Sequence, residues 1–393
     1  MNKHFLFASL FAMGLLVAPV AITSCSSDDP VVNPDEKPAG EAFLCIEQIL
    51  DGCDDISNEV GEAKIGDPLT LWNQNKHTEA LYAVESWYSY HSREDYRNNI
   101  YSIRNAYYGS RDGSIAEKSL SKLVASVNPT LDTEMKNAIQ SAADAIWDIP
   151  DPFRNNIASA QSLVAQSKCA ELNEKVKEVK GYIERTGSIN QDENLDPIIQ
   201  HYVENVVLPT YKALRDGNAA LYDAVLAFQA NPSDEGFKNV ANAWLNAREP
   251  WETSEAFLFG PVDALGLDPN MDSWPLDQNQ ISNILNSGNF DDLTWGDGDD
   301  DETIEAKQSV RGFHTLEFLT FRNGVARTLH DVASSDDTAD LVYNAQNAKS
   351  WGNYMKQVAY LLKQDAETLY NSWSVSYNNG DSFAKQFLSH NFK

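Results

Sequence analysis

Basic residues, cysteines and long apolar runs are all scarce in this chain, and each shortage removes a class of function. Lys and Arg number 30 against 58 Asp and Glu, a formal net charge of −28 over 393 residues. Phosphate recognition draws on clustered Lys and Arg, so no nucleic-acid partner is expected; such a balance suits a chain that stays soluble or attracts cations. The four Cys, at positions 25, 45, 53 and 169, show no metal-ligand spacing. On one helix Cys45 and Cys53 would lie roughly 12 Å apart, too far for a disulfide. Cys45, Cys53 and Cys169 therefore read as buried thiols, with a bridge to Cys169 left open. An HExxH segment is also lacking, which removes the two-His helix of a zincin. Period-2 runs of β-branched residues are few, which argues against a β-rich fold.

The main apolar run, Phe5 to Val20, follows Lys3 and His4 and is short for a membrane span. It leads into Ile22-Thr23-Ser24-Cys25, similar to a lipoprotein processing box. Residues 1–24 are expected to be a signal peptide, with Cys25 the lipidated first residue. Residues 25–40, acidic and Pro-rich, read as a disordered tether. The expected location is the cell envelope, lipid-anchored; Ser26 after the Cys favours the outer membrane, by resemblance to Gram-negative lipoproteins.

What is present is helical periodicity. Apolar residues recur at i, i+3, i+4 and i+7 from Leu195 to Ala230 and from Ala339 to Trp373, with further helices expected at 41–63, 94–108, 115–127, 131–147, 152–185, 234–259 and 278–285. Ser92-Arg93-Glu94-Asp95 has the form of a capping box with Ser92 as N-cap. Pro68, Pro150, Pro197 and Pro269 punctuate the expected connections, as in antiparallel bundles. The polar stretch Thr186 to Asp196 marks a boundary, giving domains at 41–190 and 191–393. Asp297-Gly298-Asp299-Asp300-Asp301-Glu302 suggests a calcium loop, but Glu302 stands where Gly is required and Gln308 where a bidentate Glu is required, so a solvated acidic loop is expected.

The segment Gly312-Phe313-His314-Thr315-Leu316-Glu317 places an imidazole and a carboxylate at i, i+3 in an apolar run. On a helix from Val310 to Phe321 both face one side, where burial requires a partner: a hydrogen bond, another charge or a metal ion. Gly312 permits close approach of a backbone or ligand. Arg311 equally serves as an ion-pair partner for Glu317. Arg248, Glu252 and Glu255, around Pro250, can offer a cation and two carboxylates to one cleft, or simply form a solvated face with ordinary ion pairs. Glu85 lies between Val84 and Trp87-Tyr88, an acid in apolar company or one that starts a helix.

These residues carry a family resemblance. Gly312-Phe313-His314-Thr315-Leu316-Glu317 is similar to the GxHxxE signature of imelysin-like proteins. Ala247 to Asp263, Glu59-Val60-Gly61-Glu62, Glu85-Ser86-Trp87-Tyr88 and Asp95-Tyr96-Arg97-Asn98-Asn99-Ile100 agree with it. The order departs from the family's: the Glu-Val-Gly and Glu-Ser-Trp segments precede GxHxxE here, which implies a circular permutation and places Glu41 near Phe392.

The resemblance implies an all-α fold of two four-helix bundles with a site at their interface. It implies binding of a metal ion or small metal complex, iron with zinc as the alternative, in iron uptake beside transport components. The metal ligands would be His314 and Glu317. Glu85, Ser86, Arg248, Glu252, Glu255 and Gly312 would line the site, with Arg248 suited to an anionic chelate. No catalytic residue is identified. The alternatives are a metal-dependent peptidase and a ligand-free surface scaffold.

Overall fold

The computed structural model describes residues 37–296, 298–333, 336–337, 342–343 and 348–392. The expected signal peptide, the lipidation site at Cys25, most of the tether and Asp297 of the acidic loop lie outside them.

The fold is all-α. Phe43–Glu59 buries Ile46, Ile49, Leu50, Cys53 and Ile56, the stripe that its spacing dictates. It packs on Ser92–Tyr108 and Ala160–Arg185, and Pro129–Trp147 packs on both of these. In the second half Leu208–Ala230 packs against Asp234–Glu252 and against Ala348–Ser374, and Gly312–Thr320 lies on the latter two. Starts are fixed locally: Ser233 Oγ accepts from Gly236 N at 2.9 Å, and Ser159 Oγ from Ser162 N at 3.1 Å. Two short antiparallel pairs are the β-structure among the described residues: Phe321–Arg322 with Val325–Ala326, and Asp336–Asp337 with Val342–Tyr343.

Several expectations change in detail. Pro68, Pro197 and Pro269 do not sit in connections; Pro269 lies in Leu267–Asp272. Pro68 opens Asp67–Asn73, directly after a π-helical stretch at Val60–Gly66, and Pro197 lies within Asp192–Tyr202, which runs through a second π-helical stretch into Leu208–Ala230. Pro68 is in a first turn, where its missing N–H has no partner to lose, whereas Pro197 lies inside its helix. Ser92 is not a side-chain cap: its Oγ donates to the Glu85 carbonyl at 2.6 Å. The Cys169 bridge does not form, and Cys45, Cys53 and Cys169 are free and buried. Asp234–Glu252 ends before Phe259, and the GxHxxE helix spans Gly312–Thr320 rather than 310–321.

The ends of the described chain meet at one place. Cys45 Sγ donates to the Phe387 carbonyl at 3.2 Å, and Phe387 packs on Phe392 at 4.7 Å between ring centroids. Gly40 N donates to the Asn190 carbonyl at 3.0 Å, and His390 Nε2 lies 2.8 Å from Asp196 Oδ1. Both ends of the described residues thus abut the stretch from Thr186 to Asp196.

Candidate metal-binding cleft

A cleft of about 790 Å³ opens between the two halves. Its wall takes Asp55, Glu59, Lys64 and Glu85 from the first half, and Glu255, Asp268, Asp272, Trp274, Asp301 and Glu305 from the second. Two glycines bring the elements this close. A Cβ on Gly52 would stand 2.1 Å from the Ala256 carbonyl oxygen, so only glycine lets Phe43–Glu59 rest against the turn that carries Glu255. Gly312, at φ +85°, would place a Cβ 2.5 Å from the Met271 carbonyl oxygen, which sets His314 beside Asp272.

Arg248 anchors the floor. Its guanidinium is 1% exposed and pairs with Asp272, with Glu252 at 2.6 Å and with Asp95 at 3.5 Å. Burial alone would lower its pKa, yet the three carboxylates raise it well above the usual arginine range. Trp251 Nε1 also donates to Asp272, at 2.7 Å. Burial would raise the Asp272 pKa, but Arg248 and His314 outweigh it and hold the carboxyl far below the ordinary range. Glu252, Glu255 and Asp272 each present one oxygen within 4.8 Å of the others. The helix stops at Glu252, so Glu255 reaches this point from the following 3₁₀ turn, not from the same helix face.

Crowding has an electrostatic signature. Burial, opposed by Arg248 and aided by Asp95 and Asp272, lifts Glu252 to about 8. Burial, opposed by Lys64, lifts Glu255 well above its usual value. Burial and neighbouring carboxylates favour the protonated form of such acids. Beside them the Asn99 side chain, with no exposure, donates to Glu252 Oε2 at 2.5 Å while its own Oδ1 has no partner.

The GxHxxE pair is placed behind this floor. His314 and Glu317 have no exposure, and Trp274 stands edge-on to the imidazole at 4.8 Å, between it and the cleft. His314 Nδ1 lies 3.0 Å from Glu317 Oε2, and Nε2 lies 3.2 Å from Asp272 Oδ1. Burial and Arg248 push its pKa down; Asp272 and Glu317 outweigh them and hold it up at about 9. An imidazolium with both N–H groups engaged offers no lone pair to a metal. Glu317 uses its other oxygen on Ser89, accepting from N at 2.8 Å and from Oγ at 2.7 Å. Arg311 turns away from Glu317 and pairs with Asp365.

The remaining expected residues divide. Glu85 and Glu255 line the cleft, and Glu252 lies just under it. Glu85 pairs with Lys64 at 2.8 Å, and Lys64 reaches Glu59 at 3.2 Å. Ser86 is buried at φ +50° and donates to Asp95; Gly312 acts through its backbone. Lys64, Asp95 and Asp272 were not among the sequence candidates. The signals were present: a Lys between Ala63 and Ile65, an Asp beside Tyr96 in a run read as a cap, and Asp268 and Asp272 at i, i+4 before Trp274.

The sequence, with this all-α fold, places the chain in the imelysin family. The family's sequence model, Imelysin (Peptidase_M75), matches residues 32–179 and 207–391, and the chain belongs to that family. It is 58% identical to an imelysin peptidase from Bacteroides ovatus, whose crystal structure aligns with a TM-score of 0.72 over 73% of this chain and 82% of that one. It is also similar to iron-regulated protein A of Synechococcus elongatus, 32% identical over 124 residues. That match spans 31% of the curated relative's length.

Proposed function

We propose that the protein binds a metal ion in the acidic cleft, as part of iron handling at the cell envelope. The observation that carries this reading is the convergence of Glu252, Glu255 and Asp272 from three separate segments, one oxygen each within 4.8 Å. A donor set made only of carboxylate oxygens suits a hard cation, and ferric iron fits it better than zinc, which favours nitrogen and sulfur. The unpartnered Asn99 Oδ1 adds a neutral acceptor beside them. The similarity to a protein named as iron-regulated supports iron as the cargo.

In this reading His314 and Glu317 are supports, not ligands: His314 fixes Asp272 from behind, and Glu317 fixes the loop that carries Glu85. A peptidase role, the description borne by the Bacteroides ovatus neighbour, finds no free base at His314, because both its nitrogens face carboxylates. We further propose lipid anchoring at Cys25 in the outer membrane, delivery to transport components, two domains meeting at 186–196, and a permuted chain order. The meeting of both ends with Thr186 to Asp196 supports the last, since ancestral and new termini would then share one pole.

Calorimetric titration of the full chain with ferrous iron and zinc tests the site, beside a Glu252→Gln, Glu255→Gln variant. Saturable binding by the wild type, lost in a variant with unchanged circular dichroism, is expected. No binding by the wild type would overturn the assignment.

A further inference from the structure

We infer that the cleft favours its metal as a compact, positively charged complex that keeps its own neutral ligands, over a bare ion or an anionic chelate. This rests on the cation-binding reading above and adds the class of ligand. Size is the first argument. At about 790 Å³ the cleft falls within the roughly 300–1,000 Å³ of pockets that hold small organic ligands. A single water takes only about 30 Å³. A bare ion on Glu252, Glu255 and Asp272 would leave most of the volume to solvent.

Charge is the second. Eight carboxyl side chains line the cleft against one ammonium. They come from five segments on different sides: Asp55 and Glu59 on Phe43–Glu59, Glu85 on its loop, Glu255 on its turn, Asp268 and Asp272 on Leu267–Asp272, and Asp301 and Glu305 on Asp301–Gln308. The basic groups are already engaged. Lys64 lies between Glu85 and Glu59, and Arg248 lies behind the floor, paired with three carboxylates. Arg248 therefore does not meet an anionic chelate, as its sequence position had suggested. A chelate with net negative charge is repelled by the ionised carboxylates, whereas a cationic complex with N–H or O–H groups on its surface finds acceptors on all five segments.

The third argument is the make-up of the rest of the wall. Trp274, Phe259 and Leu258 give it an apolar side. A bare hydrated ion gains nothing from such a surface, while a complex with its charge spread over bound amines or waters can lie against an aromatic face. Behind the lining, Asn99 Oδ1 is a buried, unpartnered acceptor on a side chain that touches Glu252.

Hexaamminecobalt(III), whose ammine ligands do not exchange, is the probe, titrated calorimetrically into the full chain beside zinc and ferric citrate. The variant Asp268→Asn, Glu305→Gln changes two exposed wall carboxylates and leaves Glu252, Glu255 and Asp272 intact. Saturable hexaamminecobalt binding, weakened at least tenfold in this variant, with no saturable binding of ferric citrate, is the expected result. Zinc binding with hexaamminecobalt excluded would overturn the inference and leave the metal site standing. Ferric citrate binding more tightly than hexaamminecobalt, or hexaamminecobalt binding undiminished in the variant, would also overturn it. No binding of any probe would overturn the metal site itself.

Discussion

His314 Nε2 lies 3.2 Å from Asp272 Oδ1, so the imidazole of the signature motif is tied to a carboxylate on another helix that faces the cleft. The motif therefore reaches the cleft through Asp272, and its own side chains remain enclosed. Asp272 is the joint between an interior network and the acidic wall: one oxygen meets Arg248 and His314, and the other accepts from Trp251.

Enclosure between two carboxylates makes His314 a charged group over the physiological range, and stability should follow. Its folded pKa of about 9 stands above the ordinary 6.5. A raised histidine contributes stability that is fully present below the unfolded value and is lost as pH rises through the folded one. At about 1.4 kcal/mol per pKa unit this amounts to roughly 3 kcal/mol between pH 6.5 and 9. Glu252, lifted to about 8, acts in the same sense from about pH 4.5 upward, since a raised carboxyl favours the folded state only while protonated. Urea midpoints should fall between pH 6.5 and 9.5 in the wild type, with a shallower fall in His314→Gln. Equal slopes in the two proteins would refute the assignment.

How far the sequence reached can be judged at particular residues. The helices were legible because burial repeats with the helical period, as Ile46, Ile49, Leu50, Cys53 and Ile56 show. Helix ends were less so: Asp234–Glu252 was extended to Phe259 because apolar residues continue, while the backbone had already left the helix. At the site, His314 and Glu317 stand out by their apolar company, and Arg248, Glu252 and Glu255 by their spacing around Pro250 and the family resemblance; all are buried near one another. Their roles were not legible. Whether an imidazole meets a metal or a carboxylate depends on Asp272, more than 40 residues earlier, and no local pattern joins the two. Lys64 was hidden for the same reason, since Glu85 lies 21 residues on, beyond two short helices.

The three described cysteines should be chemically silent in the folded protein. Burial raises the Cys169 thiol to about 12, and burial aided by Asp196 raises Cys45 to about 12 as well. Cys53 is pushed higher still by burial and its neighbouring Asp54. The thiolate is the reactive form, so little of it exists near neutrality. An Ellman's titration of a chain starting at residue 37 should show no reaction under native conditions and three thiols in guanidinium chloride. Fast native labelling would contradict the burial.

Glu317 holds Ser89 through two hydrogen bonds and His314 through a third, all without exposure to water. Glu317→Ala leaves the Nδ1–H of the imidazolium and the two Ser89 donors unpaired, at a cost of about 3–5 kcal/mol. Glu317→Gln keeps an acceptor for Ser89 and should cost less than half as much. Ser89 lies between Ser86 and Tyr90, both held at positive φ (50° and 61°), so the Ala variant should also release this loop. Amide exchange at residues 85–90 should therefore rise in Glu317→Ala before any global unfolding. Similar stability losses for Ala and Gln would show that the carboxylate's charge, not its geometry, holds the loop.

Gly312 tests the joint directly, because it touches the site only through its backbone. An added methyl would suffer both the left-handed φ of 85° and a 2.5 Å approach to the Met271 carbonyl oxygen. The conformation costs about 1–2 kcal/mol, and forcing apart two packed backbones adds a further 1–3 kcal/mol. Met271 precedes Asp272, so the strain is relieved most directly by moving Leu267–Asp272 away from His314. Gly312→Ala should then lower thermal stability and weaken cation binding together, with Glu252, Glu255 and Asp272 all still present. Met271→Ala is the control: it removes a fully buried side chain but leaves the carbonyl in place, so it should lower stability with a smaller loss of binding. Equal binding losses at equal stability would mean that the helix contact serves the fold alone and does not set the position of Asp272.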